Sequence, residues 1–236
     1  MEGVNELVAE SPGIGLYSET GLHDALKRRY ACRPGARLEA RVAGKVVDVV
    51  LPDELVEIQT RNLGSISEKI LHLACVMPVR VVYPVLAELW IERGDQRGAP
   101  SRRRSPKRGD VYSAFDELVR APLIVASPNV RMDIVLVRAR EIRVRDGSGS
   151  WRRRGDRVAG RELVDVLDTR SLDTKDDWLG LLPACGAGVW DSASLGRALG
   201  LGPERARKIL YTYRKAGLLA DAGQAGRRKL YRVAGA

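Results

Sequence analysis

Histidine occurs only twice and cysteine three times in the chain. Cys32, Cys75 and Cys185 lie far apart and are odd in number, and with only His23 and His72 available they give no zinc-ligand spacing. They read as reduced, structural thiols. No apolar run approaches the ~20 residues of a membrane helix, and the N-terminal MEGVNELVAESPGIG lacks the basic-then-apolar layout of a signal peptide. A cytoplasmic location and no membrane partner are the expectation. Neither SPGIG nor GSGS has the lysine and helix context of a phosphate-binding P-loop, and neither histidine has a nucleophile beside it in sequence.

What is abundant is charge, and it is segregated. The 236 residues carry a net charge of +10, yet residues 1 to 95 hold 11 Lys+Arg against 14 Asp+Glu, while residues 96 to 236 hold 29 against 16. An acidic front suits a part that gathers cations; a basic back suits one that neutralises phosphates.

Residues 1 to 17 have no clear period and read as an N-terminal arm. In SETGLHDALKRRYA, Thr20 is placed to cap a helix with Leu22, Ala25, Leu26 and Tyr30 on one face. RLEARVAGKVVDVVLPDELVEIQT predicts an antiparallel meander of strands over 37 to 42, 46 to 51 and 54 to 59. Ser65 and Glu68 form a capping box for a second helix that Pro78 ends. VRVVYPV predicts a strand buried on both faces, with AELWIER as a further strand. The Gly, Pro, Ser and Arg run over 96 to 110 predicts a basic linker, and 111 to 182 a middle α/β region of unknown fold, with RELVDVLDTRSL helix-like. Residues 183 to 236 give two short helices and a basic-tipped hairpin, the outline of a winged helix-turn-helix.

The meander holds the chemistry. In the register set by a turn after Leu51, Asp48 and Glu57 face one another with Cβ atoms ~5 Å apart. Two carboxylates that close repel unless one is protonated or a cation lies between them. Mg²⁺, or Mn²⁺ in its place, suits such hard oxygen ligands. Gln59 shares the face of Glu57 and is placed to orient a water or a phosphate oxygen. Glu19 or Asp24 is placed to approach from the first helix, and Glu39 or Arg41 faces Asp48 according to the first turn. Thr60, Arg61, Asn62 and the following helix N-terminus are set to meet a phosphate.

The order helix, three strands, helix, strand, with Asp48 in the second strand and Glu57-Ile58-Gln59 in the third, resembles the PD-(D/E)XK nuclease superfamily over roughly residues 18 to 93. The resemblance implies a restriction-endonuclease-like α/β (α+β) core over 18 to 95, a central mixed sheet flanked by helices. It further implies Mg²⁺ held by Asp48, Glu57, the Ile58 main-chain carbonyl and Glu19. Val47 stands where the motif has Pro, and Gln59 where Lys is usual. Gln cannot act as a general base, so water activation falls to the metal.

Arg102, Arg103, Arg104, Lys107 and Arg108, then Arg152, Arg153 and Arg154, then Arg227, Arg228 and Lys229 form three basic clusters suited to a phosphate backbone. The presumed recognition helix presents Arg205, Arg207 and Lys208. The expected function is a Mg²⁺-dependent DNA endonuclease placed on duplex or branched DNA by its winged helix, with RNA a compatible substrate and a homodimer a compatible assembly. The alternative is a catalytically inactive, nuclease-like DNA-binding or regulatory protein.

Overall fold

The computed structural model describes residues 20–94, 101–145, 156–183 and 188–235. The expected arm, Glu19, Cys185 and the cluster Arg152, Arg153 and Arg154 lie outside the described residues. Helix α1 (Thr20–Ala31) is followed by β1 (Arg37–Val42), β2 (Lys45–Val50), β3 (Leu55–Ile58), α2 (Leu63–Ala74) and β4 (Val79–Gly94). Ala43 and Gly44 both take positive φ, 46° and 77°, which is the two-residue hairpin turn that matches strand twist. That turn pairs Leu38 with Val49 and Ala40 with Val47, so Glu39 rather than Arg41 stands at the position facing Asp48. β3 then runs antiparallel to β2 and, after the α2 crossover, parallel to β4 from Leu55↔Val79 to Ile58↔Val82.

α2 begins at Leu63, before the expected capping box. Its N-cap is Asn62 in the left-handed region, and the Leu63 amide donates to Glu117 Oε2 at 3.2 Å. A carboxylate of the protein itself therefore occupies the helix end expected to receive a phosphate.

β4 is one continuous strand with an irregularity between Leu86 and Glu88, not two strands. The expected linker contains β5 (Ser101–Arg104), which folds back antiparallel on β4. A 3₁₀ turn (Val111–Ala114), α3 (Phe115–Leu118) and α4 (Pro122–Ala126) lead to β6 (Val130–Arg145), and β7 (Asp156–Leu172) follows. β6 pairs parallel with β4 from Val79↔Val130 to Gly94↔Val144, and β7 pairs antiparallel with β6. The sheet order is β1-β2-β3-β4-β6-β7, with β5 beside β4. The expected separation of a core over 18 to 95 from a middle region over 111 to 182 is thus corrected: both supply strands to one mixed sheet. RELVDVLDTRSL belongs to β7. Its helical spacing loses to the backbone ladder offered by β6, because a largely exposed edge strand places few demands on its side chains.

Each face of the sheet has its own core. Leu22, Leu26 and Tyr30 of α1 cover Val49, Val56, Ile58, Val82 and Val135. α2, α3 and α4 cover the other face through Leu63, Ile70, Leu73, Phe115 and Ile124. This second core continues into the C-terminal part, which contains α5 (Lys175–Leu179), α6 (Ser192–Leu199), α7 (Pro203–Lys215), β8 (Leu219–Ala225) and β9 (Arg228–Val233). Gly200, at φ 66°, ends α6, and Pro203 opens α7. Phe115, Trp178 and Tyr213 meet edge to face, and the Tyr213 hydroxyl donates to the Trp178 carbonyl at 2.6 Å. The last two helices and the hairpin lie where the sequence placed them, joined by an isolated bridge between Trp190 and Tyr231. They pack on the sheet's helical layer through a shared core. Cys32 and Cys75 are free and exposed, so neither is a core thiol. No helix among the described residues is long and apolar enough to cross a membrane.

Arg80 lies buried at the start of β4. Its Nε donates to Glu54 at 3.0 Å, and its terminal nitrogen donates to Asp133 at 2.7 Å and Asp173 at 2.9 Å. Tyr30 donates to Asp133 at 2.6 Å, and Arg33 pairs with Glu54 at 2.5 Å. Burial disfavours the charged guanidinium, but Asp133, Asp173 and Glu54 outweigh it and hold the proton more tightly than usual. Removing Arg80 leaves buried carboxylates without their shared cation. Arg80→Met is expected to lower the unfolding free energy by about 3–5 kcal/mol, read from urea titrations by circular dichroism. A loss below about 1 kcal/mol would contradict this role.

Candidate metal and nucleic-acid site

Strict alternation in β2 breaks at Asp48. Val47 and Val50 both join the core under α2, whereas Val49 joins the core under α1. The β2–β3 ladder, Val49↔Val56 and Val50↔Leu55, has the register expected to bring Asp48 opposite Glu57. At that point the strands part. Continued pairing would send the Ile58 amide to the Val47 carbonyl; instead it donates to Asp48 Oδ2 at 2.9 Å. The N–H and C=O of one strand residue point the same way, so the Ile58 carbonyl also faces this gap.

Each carboxylate already has a cationic neighbour. His23 Nε2 on α1 lies 3.3 Å from Asp48 Oδ2, with its other ring nitrogen 3.5 Å from Asp24. Lys69 on α2 lies 2.7 Å from Glu57 Oε1 as an ion pair. Burial raises the Asp48 carboxyl, but the His23 and Ile58 hydrogen bonds outweigh it and the net shift is downward. Burial raises Glu57, and there Lys69 only partly offsets it, with the nearby Asp48 charge adding to the rise. Its Asp48 hydrogen bond raises His23, against the effect of burial, so the imidazole protonates more readily than a free one.

The remaining expected residues divide. Asp24 reaches His23, not Asp48, and Glu39 turns to Lys27 at 2.7 Å. Of the two acids expected from the first helix, Asp24 thus does not reach Asp48 and Glu19 lies outside the described residues; the α1 side chain found against Asp48 is His23. Gln59 donates its amide to the Arg61 carbonyl and so shapes the turn after β3 instead of addressing the carboxylates. Among the described residues no group of three His, Cys, Asp or Glu side chains converges. His23 and Lys69 were the residues missed. The signal was in the sequence: each flanks the apolar stripe of its own helix, and that stripe fixes which flank lies over the sheet.

A cleft of about 710 Å³ opens beyond the end of β3. Its floor is Tyr83, Val85, Leu86, Leu89 and Ile91 of β4; its rim includes Thr60, Arg103, Lys107, Arg108 and Arg205. The loop after β5 is tied down by Ser105 and Gly109, whose amides donate to Leu89 and Leu86 at 2.8 Å. Gly109 is required there, since a Cβ would lie 2.5 Å from Val85 Cγ1 and 2.9 Å from the Leu86 carbonyl oxygen. Deeper in, Glu141 is buried and held by Arg143 at 2.7 Å and Arg161 at 2.9 Å.

Several expected nucleic-acid contacts serve the protein's own structure. Arg205 and Lys208 pair with Asp116 of α3 at 3.1 Å and 2.8 Å, docking α7 on the body, so neither projects freely from a recognition helix. Arg102 stacks on Trp90 at 4.5 Å, Arg104 pairs with Glu88 at 2.5 Å, and Arg228 pairs with Asp191 at 2.8 Å. Arg61 is exposed at the β3–α2 turn. Arg207, Arg227 and Lys229 are exposed on the C-terminal part.

The family described as Domain of unknown function (DUF8091) matches residues 20–173. The chain belongs to this family. The DUF8091 span takes in the whole seven-stranded sheet, the Asp48–Glu57 pair and the Arg80 cluster, and stops before α5. An uncharacterized protein of Treponema pallidum (strain Nichols) is 32% identical over 228 residues, covering 93% of this chain and 87% of that protein, so this likeness extends into the C-terminal part. No solved structure matches the chain.

A carboxyl whose folded pKa is raised contributes its stability below the unfolded pKa and loses it as pH rises through the folded value. Glu57 is such a group, and Lys69 limits the rise. Lys69→Met is therefore expected to match the wild type near pH 4 and to fall about 2 kcal/mol behind it at pH 7.5, where the unpaired carboxylate must be buried charged or protonated. Urea unfolding at the two pH values measures this; equal deficits at both would contradict the pairing.

Proposed function

We propose that this protein is a Mg²⁺-dependent nuclease that hydrolyses phosphodiester bonds in nucleic acid, with DNA the first substrate to test. The observation that carries the reading is the pair of carboxylates, Asp48 and Glu57, at neighbouring positions where β2 and β3 part, with a cation-lined cleft opening beyond the end of β3. The order of elements, helix, antiparallel meander, crossover helix and parallel strand, supports a restriction-endonuclease-like core. The α6–turn–α7–hairpin order supports a winged helix beside it.

The donor set fits Mg²⁺ or Mn²⁺, which needs one or two carboxylates and completes its shell with water and substrate oxygens. Asp48, Glu57 and the Ile58 carbonyl would hold the ion. When bound, it supplies Lewis acidity toward a phosphoryl oxygen and lowers the pKa of water. The chain's own residues do the rest. Lys69 restrains Glu57 and brings a cation beside it, the type of charge that Gln59 lacks. His23 restrains Asp48 from α1 as Lys69 restrains Glu57 from α2. Thr60 and Arg61 stand next to these groups, where a backbone phosphate can be positioned.

A second reading, a non-catalytic nucleic-acid-binding protein, draws on a different observation. His23 and Lys69 hold the two carboxylates without any metal. The readings separate in a cleavage assay on supercoiled, linear, branched and single-stranded DNA in Mg²⁺, Mn²⁺ or EDTA. Nuclease activity is expected only with metal, and Asp48→Asn and Glu57→Gln are each expected to reduce it by about 10²-fold or more, the equivalent of a few kcal/mol of lost transition-state stabilisation. Binding without cleavage in every condition would establish the second reading.

A further inference from the structure

The cleft follows β4, which lines it with Tyr83, Pro84, Val85, Leu86, Leu89 and Ile91. Its volume of about 710 Å³ is that of a site for a few nucleotides at most. A duplex, whose major groove alone is ~12 Å wide, is not enclosed by a trough of this size; a single strand is the polynucleotide it suits. Tyr83 is the one aromatic ring in the lining, and a base can stack on it without sequence preference.

The walls are cationic and come from five separate segments. Arg103 is on β5, Lys107 and Arg108 are on the loop after it, Arg143 is on β6, Arg161 on β7 and Arg205 on α7. Two carboxylates face them, and both are engaged: Glu141 fixes Arg143 and Arg161, and Asp116 fixes Arg205. A guanidinium held on one side by a carboxylate keeps further N–H donors for a phosphate, already oriented.

The trough also has a direction. A smaller depression lined by Leu22, Thr60, Arg61, Pro84, Leu86 and Arg161 shares Thr60, Pro84, Leu86 and Arg161 with it, and so continues the track around the end of β3. Pro84, which has no N–H to donate, stands where β3 no longer offers an acceptor. Leu22 adjoins His23, the residue that holds Asp48.

We infer that the trough binds one strand of a polynucleotide, DNA or RNA, and leads it toward Asp48 and Glu57. The binding stands on the trough alone; the delivery rests on the nuclease reading and narrows its substrate to single-stranded ends, flaps or gaps.

The test is fluorescence anisotropy in EDTA on the full-length Asp48→Asn protein, so that binding is read without cleavage. The probes are labelled dT20, U20 and a 20-base-pair duplex, with unlabelled dTMP as competitor. At least one single strand is expected to bind tenfold or more tightly than the duplex, and the comparison of dT20 with U20 identifies the natural strand. Adding Lys107→Ala and Arg108→Ala together is expected to weaken single-strand binding about tenfold. It should also lower the salt slope by about 1.4, at ~0.7 per phosphate contact. Lys45→Ala with Lys175→Ala, both exposed and outside the trough, should leave both quantities unchanged. Duplex binding as tight as single-strand binding, an unaltered slope in the Lys107/Arg108 variant, or equally tight binding of dTMP would each overturn the inference. Single-strand binding with no cleavage in the earlier assay would overturn the nuclease reading and leave the trough; duplex cleavage with no single-strand binding would do the reverse.

Discussion

A single buried guanidinium anchors the architecture. Arg80 gathers carboxylates from the turn before β3, from β6 and from the segment after β7, and through Asp133 it reaches Tyr30 of α1. These contacts lie at the amino-terminal ends of the parallel strands β4 and β6, whose pairing needs a long-range constraint because no hairpin supplies it. The charged network fixes that end of the sheet. The Asp48–Glu57 gap and the cleft lie toward the opposite, carboxyl-terminal ends of β3 and β4, the side on which open α/β sheets present their crevices.

The same division runs through the cations. An excess of Lys and Arg suggests a polyanion, but much of it is used internally. Arg80 and Arg143 are structural, Arg205 and Lys208 clamp α7 to α3, and Arg102 covers Trp90. The charge that faces the cleft is therefore a small, oriented subset of the basic total.

The features legible in the sequence were those set by local rules. The β1–β2–β3 meander follows from β-branched runs and the Ala43-Gly44 turn, and its β2–β3 register is the expected one as far as Val49↔Val56. The C-terminal helices follow from the Gly200 and Pro203 signals. What escaped reading was decided by distant partners. β7 has helical spacing, but β6 offers it a ladder; β5 looks like a linker, but Trp90 and the edge of β4 receive it. Likewise, the roles of His23 and Lys69 depend on how α1 and α2 sit over the sheet, and the docking of Arg205 depends on Asp116, 89 residues away.

The proposed divalent-cation site at Asp48 and Glu57 is tested by the unfolding temperature at neutral pH as Mg²⁺ or Mn²⁺ is titrated, in the wild type and in Asp48→Asn. A cation held there gives a saturable rise in the wild type, equivalent to about 2.7 kcal/mol at a hundredfold excess over Kd, and none in the variant. An unfolding temperature unmoved by either ion up to about 100 times a millimolar Kd, or moved equally in the variant, would contradict it.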